Sequence, residues 1–318
     1  MSASPAPYVL TFGETMALMR ADQVGPLAHA STMSLGIGGS ESNVAIGLQR
    51  LGVQAVWCGR VGADSLGQLV EREIRAEGVD VRIAVDLTAP TGLMIKERRT
   101  PGTQRVSYYR AGSAGSRIAP GDVDELLISQ AALLHISGIT PALSRQAGST
   151  ISYAIAAARA AGVPVSFDLN FRASLWSREG AAGVYRDLIP LADIVFAGDD
   201  EAAIAVGTGE PEDLARRIAD LGPSQAVIKL GADGALALID RQVFRQEAVS
   251  VEAVDTVGAG DAFVAGYLAE YVNGRRPEER LRTAAATGAF ACLVPGDWEG
   301  FPRRHELTLL DTKEPVRR

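Results

Sequence analysis

The stretch Leu133-Leu134-His135-Ile136-Ser137, then Ser144 to Ala161, then Val163-Pro164-Val165-Ser166-Phe167-Asp168-Leu169 decides the fold. Two short apolar runs flank a longer segment with helical spacing, which predicts strand, helix, strand. The rhythm continues downstream. Asp193–Phe196, Ala226–Leu230 and Ala235–Ile239 predict buried strands, while Arg178–Leu191, Glu212–Leu221 and Ala259–Tyr271 predict helices with Gly or Pro at their ends. Strand–helix alternation implies an α/β fold whose parallel sheet is covered on both faces. Ligands of such sheets sit at the carboxyl ends of the strands.

Upstream the rhythm breaks. Leu18 to Leu35 has little helical pattern, and Thr91–Tyr109 predicts two β runs around the turn residues Thr100-Pro101-Gly102. Leu93, Ile95, Val106 and Tyr108 alternate as strand residues do. Segments near 14–37 and 88–112 are therefore expected to form a small β layer, a lid over the sheet edge. The plainer alternative is a pair of surface hairpins without a role. No internal repeat or low-complexity linker divides the chain, so residues 1–318 are expected to form a single domain. Lys313 to Arg318 is expected to be a frayed tail.

Composition narrows the function. With 47% apolar and 22% charged residues the chain is ordinary for a globular protein. A formal net charge of −7 disfavours a nucleic-acid partner, since phosphate contacts need clustered Lys and Arg. Cys58 and Cys292 both lie in apolar runs and are expected to be buried, reduced thiols. No apolar stretch reaches membrane-spanning length, and Met1 to Pro7 lacks a signal pattern, which together predict a cytoplasmic protein. His29, His135 and His305 are scattered without metal-ligand spacing.

Three segments carry chemistry. Asp255-Thr256-Val257-Gly258-Ala259-Gly260-Asp261 leads into a clear helix, so a glycine-rich turn sits at a helix N-terminus that favours an anion. A simple anion site gains nothing from Asp261 in the first turn. The carboxylate makes sense if it accepts a proton from an attacking hydroxyl while backbone amides hold a transferring phosphoryl group. The competing explanation is an acid that merely stabilises a helix start. Gly36-Ile37-Gly38-Gly39-Ser40-Glu41-Ser42-Asn43 is a second glycine-rich turn, before a helix expected at Val44–Leu51, with polar side chains suited to sugar hydroxyls. Its plainer reading is a capped helix with a flexible entry. Neither segment matches Gly-x-Gly-x-x-Gly, and no Gly-x-x-x-x-Gly-Lys-[Ser/Thr] loop is present. Asp168-Leu169-Asn170-Phe171-Arg172 is expected at a strand's carboxyl end, where Arg172 is suited to grip a carboxylate or phosphate. Strand alternation predicts that only part of this segment faces one ligand. Tyr108-Tyr109-Arg110 adds a cation on the small β layer.

Together these residues resemble the ribokinase-like (PfkB) carbohydrate kinases, across nearly the whole chain. Gly38-Gly39 with Asn43, Gly59-Arg60-Val61-Gly62-x-Asp64-x-x-Gly67 and Asp255 to Asp261 carry the resemblance. It implies a central, mostly parallel sheet flanked by helices, a small β lid, ATP with Mg²⁺, room for a monovalent cation, and phosphoryl transfer to a sugar hydroxyl. By it Asp261 is the general base, and Gly258, Ala259 and Gly260 form the anion hole. Lys229, Gly231 and Gly234 belong to a nucleotide-side loop, which Gly258 and Gly260 complete.

Within the family, further stretches are similar to the 2-keto-3-deoxygluconate kinases. They are Tyr108-Tyr109-Arg110 with Ser113 to Ser116, Ser137 to Leu143, Asp168-x-Asn170-x-Arg172 with Leu175-Trp176, and Gly296-Asp297. By that similarity Arg172, with Tyr109 and Arg110, receives a substrate carboxylate, and Asp297 approaches the sugar hydroxyls. Gly38, Gly39, Asn43 and Asn170 complete the expected sugar site. Two positions depart. Gly198 stands where the family often has Asn, three residues before Glu201, which is expected to act indirectly on the metal. Met94 stands where related kinases carry Tyr. The implied reaction is ATP-dependent phosphorylation of 2-keto-3-deoxygluconate at its 6-hydroxyl. The alternatives are a fructokinase or other sugar kinase of this fold, and a non-catalytic sugar- or nucleotide-binding regulator. An exposed face of the small β layer is the expected surface for a homo-oligomer.

Overall fold

The computed structural model describes residues 7–100 and 103–310. The turn residues Pro101 and Gly102, the first six residues and the expected tail at 313–318 lie outside the described residues. In chain order the strands begin with β1 (Tyr8–Phe12), β2 (Met16–Ala21), β3 (Met33–Gly38), β4 (Gln54–Gly62) and β5 (Asp80–Asp86). They continue with β6 (Leu93–Thr100), β7 (Thr103–Tyr109), β8 (Leu133–Ser137), β9 (Val165–Asp168) and β10 (Ile194–Gly198). The last are β11 (Gln225–Lys229), β12 (Ala235–Ile239) and β13 (Gln242–Gln246). The helices are α1 (Ser40–Arg50), α2 (Ser65–Ala76), α3 (Glu125–Ser129), α4 (Ile139–Leu143) and α5 (Arg145–Ala160). After them come α6 (Arg178–Leu188), α7 (Asp199–Val206), α8 (Pro211–Asp220), α9 (Ala259–Val272) and α10 (Pro277–Ala291).

The large sheet runs in the order β13-β12-β11-β10-β9-β8-β1-β4-β5. From β11 to β5 every neighbouring pair is parallel. β12 pairs antiparallel with β11, because the turn Leu230–Gly234 is too short to hold a crossover helix. The central strands are apolar on consecutive residues because both faces are covered. One face packs Val9, Leu133, Phe196 and Val227 against α1, α9 and α10. The other packs Leu134, Phe167, Val195 and Ile228 against α5, α6 and α8.

The second sheet is small, in the order β3-β2-β6-β7. It holds both regions where helical rhythm fails, so those segments pair with each other rather than forming separate surface hairpins. The two glycines of Gly36-Ile37-Gly38 belong to β3, and α1 begins at Ser40, four residues before the expected start at Val44. The polar Ser40-Glu41-Ser42-Asn43 therefore forms the first turn of a helix, with Gly39 as its cap. All four of these side chains are buried, which composition alone does not suggest.

Candidate active site

A cleft of about 770 Å³ opens at the carboxyl ends of the parallel strands, between the large sheet and the inner face of the small one. That is where an open α/β sheet places its ligands.

Its floor is the N-terminus of α9. Gly258 caps the helix with φ of +78°, a left-handed backbone that favours glycine. An added Cβ there would also collide with the Asp297 carbonyl. First-turn amides have no carbonyl partner within the helix. Of the three residues expected to form the anion hole, Ala259 turns its N–H toward Thr256 O at 3.3 Å, and all three line the cleft.

Asp261 stands in that first turn and is buried. Ser40 Oγ donates to its Oδ1 at 2.7 Å and Asn43 Nδ2 to its Oδ2 at 2.8 Å. Asn170 Nδ2 donates to Ser40 Oγ at 2.7 Å and reaches Asp261 at 3.5 Å. Two segments distant in sequence, α1 and the loop after β9, thus fix one carboxylate. Burial raises its pKa, opposed by the bonds from Asn43 and Ser40 and by the charges of Arg172 and Lys229. Such a carboxylate is a better proton acceptor than a solvated one.

β9 ends at Asp168, and Asn170 follows with φ of +42°. Asp168, Asn170 and Arg172 all line the cleft while Leu169 and Phe171 do not; positions two apart share one face of an extended chain, so all three polar residues reach the same cleft. Arg172 is exposed and donates to the carbonyl of Phe171, with no carboxylate paired to it among the described residues. Lys229 at the end of β11 holds both oxygens of Asp168, at 2.8 and 2.9 Å. Burial opposes the ammonium, but the Asp168 and Glu201 carboxylates outweigh it and raise the Lys229 pKa. Gly231 and Gly234 line the same end of the cleft.

Glu201 accepts from the backbone N–H of Gly198 at 2.6 Å and of Phe171 at 2.8 Å. It therefore closes the start of α7 even though Gly198 brings no side chain. No cluster of three or more His, Cys, Asp or Glu suited to a metal occurs among the described residues. Carboxylates already engaged by Lys229 and by backbone amides fit Mg²⁺ carried by phosphate oxygens and water, the usual habit of that ion.

The small sheet contributes differently from expectation. Tyr108, not Tyr109, lines the cleft, because neighbouring strand residues face opposite ways and Tyr109 points outward. Arg110 is not on the cleft wall. Its Nε and Nη2 meet the buried carboxylate of Glu14, which also accepts from Ser113. Gly38 and Gly39 lie beside the site rather than on its wall; a side chain at Gly38 would collide with the Asp297 carboxylate and with Met94.

Lys96, which has no sequence signature of its own, does line the cleft. It donates to Asp255 Oδ2 at 2.7 Å and lies 3.5 Å from Asp297 Oδ1. Burial raises the Asp297 carboxyl to about 7 against the pull of Lys96, with Glu299, Asp261 and Asp255 adding to the rise.

Outside the site, His135 is fully buried beside Ser166 and burial lowers its pKa to about 3, so it is a neutral core residue. Cys58 is buried, but Cys292 is only partly so and lines the cleft; both are free thiols.

The pfkB family carbohydrate kinase model matches residues 6–304, and the chain belongs to that family. It is a carbohydrate kinase, a phosphotransferase. A 2-dehydro-3-deoxygluconokinase of Bacillus subtilis is 37% identical over 94% of this chain and 93% of its own length. An enzyme of the same name from Thermoproteus tenax is 35% identical, over 94% and 92%. Among solved structures, a PfkB protein from Polaromonas sp. JS666 superimposes with a TM-score of 0.86 at 36% identity, covering 95% of this chain and 99% of that one. An E. coli protein described as a ribokinase II, in complex with ATP and Mg²⁺, gives 0.89 at 25% identity, covering 96% and 99%.

Proposed function

We propose that the protein transfers the γ-phosphoryl group of ATP to the 6-hydroxyl of 2-keto-3-deoxygluconate, giving the 6-phosphate and ADP. The observation that carries the reaction type is Asp261, a buried carboxylate in the first turn of α9 beside a left-handed glycine cap. The substrate rests on two supports. Relatives at 37% and 35% identity bear the name 2-dehydro-3-deoxygluconokinase, the same sugar acid. Arg172 also offers the cleft a guanidinium with no internal carboxylate partner among the described residues.

In this reading Asp261 takes the proton as the hydroxyl oxygen attacks phosphorus, and the bond to the β-bridging oxygen breaks to release ADP. The first-turn amides and the α9 dipole hold the transferring group. Lys229 lies near Gly260, beside the phosphates. Glu201 and Asp168 are the carboxylates that would help hold Mg²⁺, which when bound would neutralise phosphate charge. Arg172 orients the substrate carboxylate, and Asn170 and Asp297 its hydroxyls. Tyr108 takes the place foreseen for Tyr109, and Arg110 acts through Glu14.

The small sheet serves as a lid on a single domain. Its exposed Met33 and Leu35 are the surface by which two copies pair. The protein works in the cytoplasm, and a monovalent cation assists if potassium raises turnover above that in sodium.

The test is ADP release over a panel of sugars and sugar acids, with Asp261→Asn as control. Turnover on the sugar acid should fall by several orders of magnitude in D261N while ATP binding survives. Unchanged turnover would refute the base, and preference for fructose would refute the substrate.

A further inference from the structure

Among its contacts with the rest of the molecule, the small sheet makes a buried ion pair, Lys96 with Asp255, that the proposed chemistry does not use. Lys96 lies in β6, and its ammonium is nearly fully buried, as is Asp255. Asp255 ties three segments together. Its Oδ1 accepts from the N–H of Val257, at the start of the phosphate loop. Its Oδ2 accepts from the N–H of Gly296 and from Lys96. Burial works against the charged form of Asp255, but Lys96 and these amides outweigh it and hold the carboxyl below its usual range. The same ammonium lies 3.5 Å from Asp297.

The residue registered beside Lys96 on β2 is Arg20. It grips the same loop, donating to Pro295 O at 2.6 Å and lying 3.9 Å from Glu299. Glu299 in turn accepts from the N–H of Asp297 and of Trp298. Two neighbouring cations of the small sheet therefore hold both ends of one turn, and Asp297 is the residue that turn presents to the cleft.

We propose that Lys96 is a positioning residue that couples the small sheet to Asp297. Its single ammonium fixes the sheet over the cleft and sets the orientation and charge of the carboxylate that receives the sugar. This rests on the proposed role of Asp297. Lys96 faces Asp255 and Asp297 directly, with Glu299, Asp261 and Arg20 as the other charged neighbours of the pair. One positive charge shared by two carboxylates leaves Asp297 incompletely neutralised. Removing it leaves nothing cationic in direct contact with Asp297 among the described residues.

The experiment compares Lys96→Met and Lys96→Arg with the intact chain, alone and combined with Asp297→Asn. K96M should raise KM for the sugar acid at least tenfold while KM for ATP stays within about twofold, and K96R should restore most of the loss. In the Asp297→Asn background K96M should add less than about threefold. The inflection of sugar KM against pH, near 7, should move upward in K96M. An unshifted inflection, or multiplicative losses in the double variant, would overturn the coupling.

Hydrogen exchange keeps the test independent of turnover. K96M should deprotect β6, β7 and residues 295–299 together while α5 and α8 keep wild-type protection, and deprotection of β6 and β7 alone would sink the proposal. Should K96M not fold, Lys96→Met with Asp255→Asn removes the charge pair together and is read the same way. A chain that releases no ADP with any sugar acid defeats the substrate reading, while the exchange result still decides this one.

Discussion

Asp261 draws its chemistry from its surroundings. Burial raises its pKa and Asn43 opposes the rise, so Asn43→Ala should push the acidic limb of kcat/KM to higher pH and cut turnover. A pH profile checks both effects, and a limb that stays put would show that Asn43 has no hold on the base. Arg172→Ala should raise KM for a sugar acid by about one to two orders of magnitude and leave a neutral sugar nearly unaffected, since charged hydrogen bonds contribute about 1.5–3 kcal/mol. Equal losses on both would remove the carboxylate assignment.

Asp297 carries a stability consequence as well. Its folded carboxyl is raised to about 7 from an ordinary 3.8, so its favourable contribution is full below about pH 4 and is lost as pH rises to 7. Asp297→Asn should accordingly gain melting temperature relative to the intact chain at pH 8 and not at pH 4.5, by calorimetry. The acid in the glycine-rich motif and Arg172 were legible from residue type and neighbours. Lys96 and Glu14 were not. A lysine among alternating strand residues gives no sign that it points inward at a carboxylate 159 residues away.

Among elements, α9 matters most. It is apolar on nearly every face because it lies buried against α1 and α10, and its N-terminus opens into the cleft. A Cβ at position 258 would meet both a left-handed φ and the Asp297 carbonyl. Gly258→Ala should therefore lower kcat roughly 10²–10³-fold, the loss seen when one transition-state donor is displaced. Circular dichroism should stay unchanged, and a variant of normal kcat would show that the cap is not needed. The helix was legible because a glycine pair precedes an unbroken apolar run. α1 was misplaced because Ser40 to Asn43 resembles a polar turn. It begins at Ser40 because those side chains find buried partners in Asp261, Glu41's neighbours Ser137 and Thr140, and Thr15. Tertiary contact overrode composition there.

At the scale of the molecule, the pair of Lys229 and Asp168 links the ends of β11 and β9 across β10. Lys229→Met would leave a buried carboxylate alone, and stability should fall by about 3–5 kcal/mol in urea titration at pH 8. Part of the loss should return at pH 5, where burial lets Asp168 take a proton. A loss equal at both values would place the pair outside the stability of the fold.

The sequence by itself determined the α/β class, most of the strand–helix order from Leu133 onward (α4, α7, β13 and α10 excepted), the small β layer and the reaction type, because each is written in local periodicity or in a motif of contiguous residues. Only the tertiary structure decided which of two adjacent tyrosines faces the cleft, that Arg110 is held by Glu14, and that Lys96 joins the two sheets through Asp255 and Asp297. Those outcomes depend on which distant carboxylate a buried cation meets, and that pairing is set by strand order and register across the whole chain.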